Sequence, residues 1–140
     1  MTIKEQQDTI IEEFSFFTDW TEKYEYIIQL GKDLPLIDEQ YKKEENLIKG
    51  CQSKVWLHAE HRDGKIFFTA DSDAIITKGL VSMVVRVLSG QSPAAIADAE
   101  IYFVDAIGLK SHLSLTRSNG LLSMLKQMKM YGVALKARGI

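Results

Sequence analysis

The chain has one cysteine, Cys51, among its 140 residues. A lone thiol forms no intrachain disulfide, no Cys-x-x-Cys redox pair and no cysteine-rich zinc or iron–sulfur site, so cysteine usage points to the reducing cytoplasm. Proline is almost as scarce, with two residues. No internal repeat or low-complexity segment is evident, which argues against a repeat or disordered architecture. No apolar run is long. The most hydrophobic stretch, GLVSMVVRVLSG, is interrupted by Arg86, is far too short to span a bilayer and reads as a core helix, so no membrane association is expected. The opening MTIKEQQDTIIEEF carries acidic residues where a secretory signal needs a basic start and an apolar block, so export is not expected. Runs of Lys and Arg are also missing. With a net charge of −2 and a pI near 5.9, the chain lacks the basic footprint of a nucleic-acid binder.

What is present describes an ordinary globular chain: 46% hydrophobic and 26% charged residues, in a length that buries one core. A single domain over residues 1–140 is expected. Ile3, Ile10, Ile11, Phe14 and Phe17 recur at mostly helical spacing, predicting a first amphipathic helix. Asp19 followed by Glu22 resembles a capping box and starts a second helix, WTEKYEYIIQL, ended by Gly31 and Pro35. Residues 36–49 are polar and charge-rich, and are expected to form an irregular surface connector.

Two strand-like runs follow, about 54–61 and 65–70, separated by Arg-Asp-Gly, whose Asp-Gly pair predicts a tight antiparallel hairpin. Ser72 or Asp71 is placed to cap a deeply buried helix over about 73–89. Ser92 and Pro93 suit the N-cap and first position of a short helix, and a further helical segment is expected over 101–108. The last helix begins around SLTRSNGL, with Leu121, Leu122, Leu125 and Met128 as its apolar stripe and cations toward its end. The predicted class is α+β, a small antiparallel sheet covered by several helices.

A lone cysteine is either a small buried hydrophobe or a reachable thiol. Cys51 lies outside the apolar run of its strand, in a Gly-Cys-Gln-Ser junction typical of a loop, which favours access. Lys49 and Lys54 are near enough in sequence to favour the thiolate electrostatically. Arg117 is unexpected for a different reason: it stands near the start of the last helix, where the dipole favours an anion. Asp73 reads either as a solvated first-turn carboxylate or as a group near the cysteine loop.

Taken together, IKGCQSKVW, DSDAIITKGL, HLSLTRSNGL and the WTEKYEYIIQLGKDLP helix resemble, in order and spacing, the SufE family of sulfur-acceptor proteins. The resemblance covers nearly the whole chain. It does not separate the branch serving the Suf desulfurase from the CsdE branch, although the sequence is closer to SufE. The resemblance implies a SufE/IscU-like fold and a persulfide relay without a cofactor of its own. A pyridoxal-phosphate-dependent, SufS-like cysteine desulfurase would pass sulfur to Cys51 and be stimulated by its removal. The carrier would hand the sulfur on to SufB in the SufBCD scaffold, acting only with partners and not as an enzyme. It also implies shelter for the resting thiol, for which Val55, Trp56 and Leu57 are candidates. Arg117 would stabilise a thiolate or persulfide anion, or contact the desulfurase.

The histidines enter less directly. His58 and His61, three apart in a strand, would face opposite ways and share no metal; both are expected at the surface. His112 matches a histidine common in the family, with capping or packing near the last helix as its expected role. The alternative class is a stand-alone thiol enzyme, a peroxidase or acyl-transfer catalyst using Cys51 with His112 as base. A scaffold that builds the cluster itself needs several thiolates, and only one is available.

Overall fold

Asp63 and Gly64 turn the chain back on itself with φ of 53° and 74°, the paired left-handed geometry of a two-residue hairpin turn that follows strand twist. The computed structural model describes residues 1–139, and the strands joined by this turn are β1 (Val55–Arg62) and β2 (Lys65–Ser72). They pair antiparallel from Val55 opposite Ser72 to Arg62 opposite Lys65. β1 keeps its expected length, shifted by one residue, while β2 runs two residues past its expected end, because ladder pairing carries the extended backbone past the apolar run. On one face Val55, Leu57, Ile66, Phe68 and Ala70 are buried.

Six α-helices surround the hairpin among the described residues: α1 (Ile3–Ser15), α2 (Trp20–Gly31), α3 (Ile75–Leu88), α4 (Pro93–Ala97), α5 (Phe103–Ala106) and α6 (Leu115–Ala137). A capping box at Thr2 and Glu5 starts α1. At α2, Asp19 accepts from the Glu22 N–H at 2.8 Å, the first half of the box anticipated there. Ser92 caps α4 from the Ala95 N–H, with Pro93 at the first turn. The segment expected to be helical over 101–108 is helical only over Phe103–Ala106, followed by a 3-10 turn at Leu109–Ser111. Gly108, at φ 82°, turns the chain between them.

The α3 helix begins later than expected, at Ile75, and its N-cap Ala74 has no side-chain cap. Neither anticipated cap is available. Asp71 is engaged by Lys42 at 2.8 Å and Lys78 at 3.5 Å, while the Ser72 hydroxyl accepts the Ala74 N–H. Burial works against the charge on Asp71, but its bonds to Lys42 and to the Ser72 N–H, with the lysine charges, hold it below the ordinary carboxylate range. From Gly79 to Val85 every residue of α3 is buried, which makes this helix the axis of the core.

The connector over 36–49 is more ordered than its composition suggests. It contains two 3-10 turns, Glu39–Tyr41 and Glu44–Asn46, and reaches both outer edges of the hairpin. Leu36 bridges to Ala70 on β2 and Leu47 to Trp56 on β1. Exposed sheet edges invite pairing with other chains, and these bridges cover part of each edge. Lys42, bound to Asp71, also lies 5.0 Å from the Trp56 ring, tying the connector down just before it reaches Cys51.

Candidate functional site

The segment carrying Cys51 is a loop stapled at its base. The Ile48 N–H donates to the Val55 carbonyl at 2.8 Å and the Asp73 N–H to the Lys54 carbonyl at 3.2 Å. The Lys54 N–H donates to Asp73 Oδ1 at 3.0 Å. Asp73 is therefore not a first-turn carboxylate of α3 but a group near the cysteine loop, the second of its two readings: it fixes the point where the loop enters β1 and does not line the cavity of the thiol. Inside the loop, Gly50 has φ of 89°, a conformation that favours glycine. A Cβ at Gly50 would stand 3.0 Å from Ser123 Oγ.

This geometry lays the loop against α6. Cys51 is half-buried, and its thiol donates to the Gly120 carbonyl at 3.5 Å. The missing side chain of Gly120 makes that approach possible: a Cβ there would meet Cys51 Sγ at 3.1 Å and its Cα at 3.4 Å. The thiol opens onto a small, mainly apolar cavity of about 30 Å³ between α3, α6 and β1. Val55, Leu80, Val81, Leu121 and Met124 form its apolar wall; Thr77, Thr116 and Arg117 supply polar groups. Burial pushes the Cys51 thiol above its ordinary pKa. The expectation that Lys49 and Lys54 favour the thiolate is not met, since no cationic influence offsets that burial.

Of the three candidates for sheltering the thiol, only Val55 lines this cavity. Leu57, two residues on, lines a separate groove with Lys126 and Met130, and Trp56 points to the opposite face under Lys42. Arg117 is brought to the cavity as anticipated. Its backbone N–H donates to the N-cap Ser114 hydroxyl at 3.2 Å, and its exposed guanidinium has no side-chain partner among the described residues. The free hydroxyl at the helix start satisfies the first turn, leaving the Arg117 side chain available to a ligand.

The histidines are elsewhere. His112 stacks on Trp20 at 3.7 Å, its carbonyl accepts the Tyr24 hydroxyl, and it does not line the Cys51 cavity. His61 is exposed, but His58 is not the plain surface residue expected: it stacks on Tyr41 at 3.8 Å, and its Nε2 is enclosed without a hydrogen-bond partner. No group of three metal-ligating side chains occurs among the described residues, and no helix among them is long and apolar enough to cross a membrane. Sequence reading missed Gly120, Thr77 and the walls contributed by α3. For Gly120 a signal existed, a glycine inside a strongly helical run, which often marks close backbone approach.

Comparison with known proteins bears on the same segments. The model of the SufE family, described as an Fe-S metabolism associated domain, matches residues 8–132. A SufE-like protein of Rhizobium meliloti is 40% identical over 127 residues, covering 87% of this chain and 91% of its own. One of Rhizobium etli is 41% identical over 128 residues, covering 87% and 86%. In three dimensions, the solution structure of a hypothetical protein from Thermus thermophilus superposes with a TM-score of 0.76 over 92% of this chain and 94% of its own. At 18% identity that likeness shows a shared α+β fold.

Proposed function

Because the chain belongs to the SufE family and so has a role in iron–sulfur metabolism, we propose that it is a sulfur acceptor for a pyridoxal-phosphate-dependent cysteine desulfurase. Cys51 is the acceptor. Its thiolate attacks the terminal sulfur of the desulfurase's cysteine persulfide, a new S–S bond forms on Cys51, and the desulfurase cysteine leaves as thiolate. The sulfur changes bearer with no net oxidation, and the proton lost from Cys51 is taken up by solvent or by the departing thiolate. The acceptor then hands this sulfur to the cluster scaffold, SufB in its complex with SufC and SufD, in the cytoplasm. Removing the persulfide also stimulates the desulfurase, and the carrier needs no cofactor and turns nothing over alone.

The observation that carries this reading is the placement of the chain's single thiol in a sheltered cavity, beside an arginine with no side-chain partner among the described residues. A second internal cysteine would attack the persulfide and release sulfide; with one, the sulfur stays until a partner takes it. Arg117 supplies a fixed cation for a persulfide anion or a contact for the desulfurase. The thiol-enzyme alternative loses its base, since His112 is stacked away on Trp20. The test is intact mass after incubation with a cysteine desulfurase, pyridoxal phosphate and cysteine. The wild-type chain gains one reductant-labile sulfur atom and Cys51→Ser gains none. Equal gain in the serine variant, or sulfide production from cysteine by the isolated protein, defeats the reading.

A further inference from the structure

The Thr-Arg-Ser-Asn-Gly-Leu stretch contributes Arg117 to the cavity, but its glycine has a separate consequence. Gly120 lies in the second turn of a 23-residue helix, where glycine weakens the helix and alanine would strengthen it. No turn or kink requires it. Three atoms of Cys51 occupy the space that its side chain would take, Sγ at 3.1 Å, Cα at 3.4 Å and Cβ at 3.5 Å from an ideal Cβ. The Gly120 carbonyl is also the thiol's hydrogen-bond acceptor. Both the empty space and the acceptor therefore come from one residue, 69 positions away in sequence.

We infer that Gly120 is a positioning residue for the acceptor thiol: its bare backbone is the seat in which Cys51 rests, and occupancy of that seat sets how far the thiol is withheld from electrophiles. The inference rests on the sulfur-acceptor reading for its biological meaning, but its chemistry is that of the isolated chain. Two elements meet at the seat. One is a helix whose backbone is fixed by its own hydrogen bonds; the other is a loop whose backbone hydrogen bonds lie at its base. A side chain added at Gly120 therefore moves the loop rather than the helix. The thiol then loses its acceptor and part of its cover, and the desolvation that disfavours its charged form is relieved.

The experiment is alkylation by iodoacetamide, which reports Cys51 alone because no other thiol exists. Rates are measured across pH for the wild type, Gly120→Ala and Gly120→Leu, with thermal melts alongside. The wild-type profile should have its midpoint above that of an unstructured cysteine peptide. Alanine should move the midpoint down and raise the neutral-pH rate several-fold, and leucine should do so further, with the alanine variant melting no lower than wild type. A merely structural glycine would alter the melt and leave the midpoint in place. Unchanged or slower alkylation in a folded variant overturns the inference. So does a wild-type thiol that titrates and reacts like the free peptide, an outcome that needs no variant to fold. A chain that accepts no sulfur from a desulfurase yet shows these alkylation shifts would refute the proposed function and leave the seat intact.

Discussion

Gly79 and Gly120 both stand inside helices and both admit a neighbour that a side chain would exclude. At Gly79 the neighbour is another helix: a Cβ would fall 2.1 Å from the Ile27 carbonyl oxygen and 2.7 Å from its carbonyl carbon, and Gly31, one turn further along α2, also packs against the Gly79 backbone. Neither α2 nor α3 can yield, because each backbone is fixed by its own ladder and by the core around it. At Gly120 the neighbour is a loop tip carrying a thiol. The two contacts look alike in sequence, yet one joins two helices and the other joins a helix to a loop. Close approach alone is therefore uninformative; what distinguishes the site is that one partner lies outside any helix or strand.

The strongest way to sharpen this contrast is Gly79→Ala. Overpacking against backbone typically costs about 1–3 kcal/mol, and contact with a fixed carbonyl places this variant at or above the top of that range. Chemical denaturation should show a large loss of stability. A near-neutral result would mean that α2 and α3 separate easily, and the distinction between the two glycines would collapse.

A smaller effect, of another kind, is expected for Arg117→Ala. Its guanidinium is exposed and has no side-chain partner among the described residues, so the melting temperature should hardly change. Single-turnover transfer from a preloaded desulfurase persulfide should slow about tenfold, the worth of one charge-assisted hydrogen bond of about 1.5 kcal/mol. Partner affinity measured separately assigns the loss: weaker binding indicates docking, slower transfer at saturation indicates anion stabilisation. Unaltered binding and transfer would leave Cys51 as the only functional side chain in the cavity.

The mildest test concerns the helix-packed side of the molecule. Arg86 binds Glu13 through two hydrogen bonds, at 3.0 and 2.6 Å, and the Tyr26 hydroxyl donates to the same carboxylate. The bond from Arg86 first, and that from Tyr26 against a burial cost, hold the Glu13 carboxyl below its ordinary range. A lowered folded-state pKa contributes stability that is present above the unfolded value and lost as pH falls through the folded one. Melting temperatures taken from about pH 6 to about pH 3 should therefore fall less steeply for Glu13→Gln than for wild type, starting from a lower value. Parallel curves would show that the pair contributes nothing to the acid limb.

These contrasts also mark what could be read from the sequence. The hairpin was legible because Asp63-Gly64 encodes its own geometry, and the start of α4 because Ser92-Pro93 does the same. Local chemistry was sufficient in both. Cys51 and Arg117 were legible as a site through their motifs, and the structure brings both to one cavity. The start of α3 was misread because Asp71 and Ser72, sound capping residues by local rules, are spent on Lys42, Lys78 and the Ala74 N–H. The supposed cationic help from Lys49 and Lys54 failed because sequence proximity says nothing about where ammonium groups point. Gly120 has no role legible from its own motif, since its partner lies on a loop 69 positions away.

The Asp63-Gly64 hairpin turn offers a place for a reporter group. Asp63 and Gly64 are exposed, and a side chain added at Gly64 would meet no atom within 4 Å. They lie at the far end of an eight-residue strand from the entry of the cysteine loop, about 25 Å away at the rise of extended backbone. A fluorophore attached there by chemistry that spares thiols would sit on the hairpin, clear of the cavity onto which Cys51 opens. Cys51 itself would stay unmodified, its thiol still bonded to the Gly120 carbonyl.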